Sequence, residues 1–590
     1  VTNDMNSTAN ITGIDPGDEV KGAWGSLSMV PNVPTTAQVT LAGNTTLSYA
    51  EGNNGLFISD NDHKIALGAI VGSQKTFNLV NGGKIGKVTL TNGKDNANDD
   101  RNLTTLNING NGNLTTINGI DTVISNNTTA YATRVNVNSD ADVTGDITGV
   151  GRVNVNEGAT LHVYNPDASS KDAPEVLVNT LAVRNGNAKI DGDLIIDGQY
   201  SSDRSHEGFA GDGEAFAIGG SIAANNIELE HSADLTTVHG GLISAETVTA
   251  VADSDGKSYS LIAVGNDLDY ETWDDTEETP LTGTGYLEIS KYLDLNGGTL
   301  MVDPAYGEAT SVAAVMNFKE GNDKTWDSVK NDVGIIDGRA LIGKNAALGI
   351  GASLEDTRAV IADFQENGSL SQEKYGSILY LNGQLTIANG SEIALNADPV
   401  TSDVDGIRRA LKYTITSNQL DQFATLGLGA NTAILMSEAA FEDADGKKTQ
   451  TAIHFDRESA VINANGGEIV LIGAFDASEK LNFFSDKDSG NNNGVDIVNA
   501  SGADGTIKVY TQNGFLFATL TGKNQGQGVQ LHVDEDKAFS VMNQASYPVV
   551  ETLISYHEDR IAQDTTTTPE TPAPEAGNEN QSGSSSVPAK

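Results

Sequence analysis

The chain has 590 residues and a formal charge of −45, from 80 acidic against 35 basic side chains. Phosphate backbones and anionic lipid both demand a basic face, so this balance argues against a nucleic-acid partner and against docking on acidic membrane surfaces. There is no cysteine, which removes disulfides and thiolate metal sites, and no apolar run reaches the roughly 18 residues that span a bilayer.

The sequence begins at Val1 without Met, as a chain whose signal peptide has been removed would. Residues 1–38 are polar and Gly-rich with weak structural signals. From Val39 short apolar pulses begin, each closed by Gly or Asn-Gly turn material. The pattern is clearest from Leu103 to Val163. There Leu106 and Ile108, Leu114 and Ile117, Val135 and Val137, and Val153 and Val155 alternate with polar residues. Alternation at period two marks strands with one buried face. The pulses also echo one another: NLTT at Asn102 returns 11 residues on at Asn113, and RVNVN at Arg134 returns 18 residues on at Arg152. Imperfect recurrence of short strands at such spacing predicts a solenoid of stacked strands, with a hairpin sandwich as the alternative. Aliphatic side chains should stack inside it, and Asn or Thr should form ladders at its turns. With ~20–25 residues per coil, the body would be on the order of 100 Å long.

Strands resume through Ile222, Ile227, Leu229, Leu242, Val248 and Leu261, after a Gly- and charge-rich loop at Tyr200 to Gly213. A dense acidic loop follows from Asn266 to Pro280, around Trp273. Asn-Gly turns between short strands then recur near Leu295, Leu381 and Val461. Between these copies the spacing predicts helical pieces: Val312, Val315, Met316 and Lys319 on one face; Leu354, Val360, Ile361 and Phe364 on another, with Ser353 as N-cap; and short helices at Ile407 to Leu411 and Leu420 to Leu426. Residues 475–541 return to β pattern, with the aromatic strand Phe515-Leu516-Phe517, and are the candidate for a cap over the last apolar layer. A helix is expected over 542–564, followed by a Pro-, Thr- and Ser-rich linker over 565–590. The fold class expected is all-β: a right-handed parallel β-helix over 39–300 and 301–474, the latter with short helical insertions, ending in the β cap.

Three Asp-x-Asp-Gly stretches, at Asp253, Asp403 and Asp443, lack the flanking ligands of a calcium loop and read as plain turns. The denser oxygen cluster of Asp486, Asp488, Asn491, Asn493 and Asp496 is the better calcium candidate; no cofactor is otherwise called for. The eight histidines are scattered, with His231 and His239 close enough to share a strand neighbourhood, and no H-E-x-x-H occurs. Asp488-Ser489-Gly490 is a polar turn rather than the nucleophile of a serine hydrolase. No complete catalytic motif is present, so the expectation is a protein that is not an enzyme.

The Asn/Gly/Thr/Val pulses of Leu103 to Val163, the LNGG-x-L turn at Leu295, its relative at Val461, and the β region near Phe515 together resemble the secreted passenger of a bacterial type V autotransporter adhesin. That resemblance implies a surface or secreted protein exported across the outer membrane. It also implies an autochaperone-like cap and a membrane β-barrel that would follow Lys590, cleaved or beyond this sequence. The implied partners are host-cell or sibling-cell surface proteins or glycans, or another copy of the chain. ALIGKNAALGIGAS at Ala340 is similar to the Gly-Ala repeats of trimeric adhesin heads, but it occurs once. An S-layer or filament subunit, with calcium bridging acidic loops, is the main alternative, and a β-helical polysaccharide-degrading enzyme the second.

Overall fold

A computed structural model describes residues 104–521 except 121, 125–127, 131–132, 168–171, 199–212, 255, 266–282, 303–309, 320–331, 368–374, 396–423, 438–440, 443–447, 450, 457–459, 473–480, 487–494, 499–504 and 513–515. It also describes short strands within 8–91 and those at 529–533 and 539–541. The loops expected at Tyr200 and Asn266, the helix at Ile407 to Leu411 and everything after residue 541 lie outside the described residues. No helix among the described residues is long and apolar enough to cross a membrane.

The described chain is chiefly β-strand, and most of its strands belong to one 30-stranded sheet. Nearly all pairings in it are parallel, between strands that are not sequence neighbours. Three ladders can be followed. The first runs through Leu106, Val135, Val153, Leu181 and Ala215. The second runs through Ala141, Leu161, Ala188, Ile222 and Ile243. The third runs through Ile117, Ile147, Val176, Leu194, Ile227 and Val248. Every residue just named is buried, and all belong to one continuous apolar core. Long strands turn the corners: within Ile147–Val155, Ile147 pairs in the third ladder and Val153 in the first.

The sequence echoes have distinct meanings. Arg134 pairs with Arg152 in register, so the RVNVN repeat is one step along the first ladder. Thr105 pairs with Arg134 while Asn113 pairs with Asp142, so the shorter NLTT echo falls on consecutive ladders of one circuit. The expected amide ladder is present on the outward side: Asn136 Nδ2 donates to Asn107 Oδ1 and Asn154 Nδ2 to Asn136 Oδ1, each at 2.7 Å. A second row sits at the corner, where Asn138 donates to Asn109 at 2.7 Å and Asn156 donates to Asn138. The separation between stacked partners is not uniform: it is 18 residues from Asn136 to Asn154, 34 from Asn187 to Ser221 and 53 from Gly338 to Ser391. At ~4.8 Å per strand, the first ladder from Thr76–Leu79 to Val495–Val498 is on the order of 60 Å long, shorter than a uniform repeat implies.

Three detours lengthen the chain between stacked partners after Phe318, each leaving a ladder and re-entering the same ladder one strand on. Phe318 pairs with Gly334 in the third, Ile350 with Leu381 in the second, and Leu395 with Leu428 in the first. The second detour carries the helix Leu354–Asn367, as expected. Ser353 caps it: its Oγ accepts from Asp356 N at 3.0 Å and donates to Asp356 Oδ2 at 2.8 Å. Leu354, Ile361 and Phe364 lie over the outward side of the second ladder, against Val312, Ala347 and Ile378. Gly349 permits the close approach, because a Cβ there would meet Thr357 Oγ1 at 2.0 Å.

Two helical expectations are overturned. Val312 and Val315 lie in the strand Ser311–Val315, with Met316 and Lys319 just beyond it, and Leu426 lies in the strand Thr425–Leu428. All residues of both strands are buried. Where a strand is covered on both sides, its apolar run loses the alternation that distinguishes it from a helix. The Asn-Gly turns near Leu295, Leu381 and Val461 are corners of the stack. The strands Gly285–Asp294 and Thr299–Val302, for example, each pair with strands of other circuits.

Near the C-terminal end the pairing changes sense. Leu516–Thr521 pairs antiparallel with Thr506–Thr511, and Val529–Val533 pairs antiparallel with both Leu481–Asp486 and Phe539–Val541.

Inside the stack, Arg339 and Glu392 form a buried pair, Nε to Oε1 3.0 Å, with side chains 1% and 0% exposed. They are stacked partners on the first ladder. Replacing either alone with Ala should cost about 3–5 kcal/mol, whereas replacing both with apolar residues of similar volume should come close to neutral; denaturant unfolding of the three variants checks this. Ser353→Ala should cost about 1 kcal/mol, read as faster amide exchange confined to Leu354–Asn367.

Candidate functional site

The corner between the third and first ladders gathers the densest polar chemistry among the described residues. Six successive turns meet along it. Gly198 N donates to Glu230 O at 2.8 Å, Ser232 Oγ to Asp253 Oδ2 at 2.8 Å, and Ser258 N to Asn296 O at 2.7 Å. Gly297 N then donates to Asp337 O at 2.8 Å, and Gly338 N to Ser391 Oγ at 2.9 Å. Sequence dictates this locally: most of these turns are built from Asp, Asn, Ser and Gly, which accept the left-handed backbone a sharp corner needs.

At one end of this edge, Asp197, Glu230 and His231 converge, with one ligand-type atom from each lying within 4.8 Å of the others. Asp197 ends the strand Asn187–Asp197 and is the register partner of Glu230. His231 follows directly, with φ 52°, and Ser232 has φ 61°. Two consecutive non-glycine residues in the left-handed region are uncommon and turn the imidazole back onto the preceding strand. His231 Nδ1 lies 2.7 Å from Asp197 Oδ1. Two carboxylates and an imidazole are the residues here that could hold a divalent ion. The Ser232 hydroxyl donates to Asp253, not to the neighbouring imidazole. On the adjoining third ladder, Glu228 is held above the usual carboxylate range, first by burial and then by the charges of Glu230 and Asp193.

A second imidazole lies on the outward side of the second ladder. His162 Nε2 is 3.0 Å from Asp191 Oδ2 and its Nδ1 is 3.7 Å from Asp142 Oδ1. Its ring stacks on Tyr164 with centroids 4.3 Å apart. Burial pushes the Asp191 carboxyl up, but hydrogen bonds from His162 and Lys189 outweigh it and leave the group below its ordinary value.

The opposite end of the corner holds a small slot lined by Lys257, Asn296, Asp337, Arg339, Asn389 and Ser391, with glycines between them. Lys319 Nζ bonds Asp337 Oδ2 at 2.9 Å, and that bond, opposed by burial and aided by the Asp337 and Asp294 charges, holds the ammonium above its usual value.

Of the expected calcium ligands, Asp486 ends the strand Leu481–Asp486 beside Phe455, and Asp496 lies in Val495–Val498 beside Val461. Asp488, Asn491 and Asn493 lie outside the described residues. Asp253 to Lys257 is a turn, as expected, closed by Gly256 N to Asp253 O at 2.9 Å. The turn at Asp443 is flanked by the antiparallel strands Phe441–Glu442 and Lys448–Thr449, and the one at Asp403 lies outside the described residues. His231 and His239 bound the same strand, Asp234–Val238, at opposite ends, so they do not come together. Sequence reasoning missed the convergence of Asp197 with Glu230, and the slot. The signal available was the return of Asp-Gly, Asn-Gly, Asp-Gly and Asn-Gly at 255, 296, 337 and 389.

No protein-family model, curated protein or solved structure matches the chain.

The carboxyl shifts fix two signs. The Asp191 contribution to stability is complete above its ordinary value of 3.8 and is lost as pH falls through its lower folded value. NMR titration should therefore place the Asp191 midpoint below 3.8, and Lys189→Met should move it up. Glu228 is the reverse: its contribution is present below 4.5 and is lost as pH rises through its higher folded value. Glu228→Gln should thus raise the melting temperature at neutral pH, with the difference vanishing in acid.

Proposed function

We propose that this chain is the passenger of a bacterial surface protein of the autotransporter kind, folded as a right-handed parallel β-helix. In this reading it adheres or self-associates through an extended outer face and catalyses no reaction. The observation that carries the reading is the 30-stranded, mainly parallel sheet, whose outward rows hold polar groups hydrogen-bonded from strand to strand. One such row is Asn107, Asn136 and Asn154; another is Asp193, Asn226 and Thr247, linked by hydrogen bonds of 2.7 Å. Right-handed winding follows from the near-universal hand of parallel crossover connections. Repeated polar rows suit a long, weakly curved contact with a cell-surface protein, a glycan or a second copy. A charge of −45 keeps a densely displayed protein soluble. The sequence carries no complete catalytic motif, and the Ser232 hydroxyl beside His231 donates to Asp253. In this reading the chain lies outside the cell, at the bacterial surface, and requires no cofactor.

The test is direct. Purified protein should give an elongated small-angle scattering profile, and particles coated with it should clump or bind host or sibling cells. A compact sphere overturns the β-helix. Calcium-dependent two-dimensional arrays under the electron microscope, lost on chelation, would establish a lattice subunit instead. Turnover of casein or a polysaccharide, abolished by one Ser or carboxylate substitution, would make it an enzyme.

A further inference from the structure

We infer that the slot at the corner of the third and first ladders binds a single neutral sugar residue. This goes beyond the surface-display reading and does not depend on it.

The slot exists because consecutive corners carry glycine at the same place. Gly256, Gly297, Gly338 and Gly390 have φ of 83°, 93°, 149° and 78°. A Cβ on Gly338 would meet Gly298 O at 2.4 Å, and one on Gly297 would sit 3.5 Å from the Lys257 Cβ. With side chains withheld at four successive levels, a groove opens between the side chains that remain. Its volume is about 130 Å³. That is well below the ~300 Å³ at which pockets for larger organic ligands begin, and it fits one ring edge with its hydroxyls.

The lining offers donors and acceptors in mixture. The Lys257 ammonium and the Asn389 amide are on the walls, with Asp337 as an acceptor. Asn296 Nδ2 is engaged by Ala250 O at 3.0 Å, which leaves its Oδ1 as an acceptor. Ser391, 2% exposed, forms part of the floor, with its Oγ held by Gly338 N. Arg339 and Asp337 are answered by Glu392 and Lys319, at 3.0 and 2.9 Å. With the Arg339 and Asp337 charges balanced and the Lys257 ammonium set among neutral amides and a hydroxyl, the lining suits a polyhydroxylated neutral group. No aromatic ring lines the slot, so affinity should be modest, on the order of 1 mM.

The experiment titrates the purified full chain with methyl glucoside, methyl galactoside and methyl N-acetylglucosaminide, read by calorimetry and ligand-observed NMR, with glucuronate alongside. Saturable binding of at least one neutral glycoside, little changed by salt, is expected. Lys257→Ala should weaken it about tenfold through a lost hydrogen bond, and Asn389→Phe, which fills the slot from an exposed wall position, should abolish it. Both variants should keep the parent melting temperature. Three results overturn the proposal: no saturable binding of any neutral glycoside, binding indifferent to both variants, or binding of glucuronate alone that salt removes. Since the assay needs no display on cells, its failure leaves the surface reading standing, and failure of cell binding leaves the slot untouched.

Discussion

Parallel register is the constraint on which the rest of the molecule depends. Val153 is buried only because Val135 and Leu181 stand at the same register in the strands on either side of it. A slip of one residue would turn every aliphatic side chain of a strand to the outside and bring polar groups in. No circuit can bury its own apolar positions, since each is covered by its neighbours. The aliphatic column therefore forces each circuit to present strands and corners in the same places, whatever length of chain lies between.

That requirement explains the outward chemistry. Once the inner positions are fixed, the alternate positions stack on the outside with equal regularity, and like polar groups then lie one strand spacing apart. Asn suits such a row because its amide donates to one neighbour and accepts from the other, which the Asn107–Asn136–Asn154 row does at 2.7 Å per step. Charges cannot repeat in this way without repulsion. On the second ladder Asp142 is followed by His162 and then Lys189, so no two carboxylates stand at adjacent positions of that stack. Where acids do accumulate, Glu228 is pushed toward its neutral form, first by burial and then by the charges of Glu230 and Asp193.

The middle of the stack tolerates insertion for the same reason. A detour costs little if the chain returns to the next position of the ladder it left, because loop closure grows only slowly with length. Three detours, one per ladder, satisfy this between Phe318 and Thr425, and the ladders are level again afterwards. The helix of the second detour makes an outer apolar surface possible on the strands beneath it, so Val312, Ala347 and Ile378 can be apolar where other circuits carry polar groups. Nearby, the Arg339–Glu392 pair is stacked like any other register pair, and each charge is tolerable in the interior only because the other is its neighbour.

The strands from Leu103 to Val163 and the capped helix at Ser353 were legible because the signals that specify them are local: alternation at period two, and a side chain placed to hold the first turn of a helix. The 18-residue echo of RVNVN even disclosed one true register step. Ser311–Val315 and Thr425–Leu428 were misread as helical because burial on both sides erases alternation, and that covering comes from distant chain. The Asn-Gly turns were legible as bends but not as corners of the stack, because a turn residue specifies the bend and not the partner of the strands it joins. Sequence by itself determined the β character, the apolar columns and the composition of the turns, since these follow from the conformational preferences of individual residues. Only the tertiary structure decided which turns stack on which: it set Asp197 against Glu230 and His231 and opened a slot between Lys257 and Asn389, because insertions of unequal length separate those neighbours and only the register of the ladders brings them together.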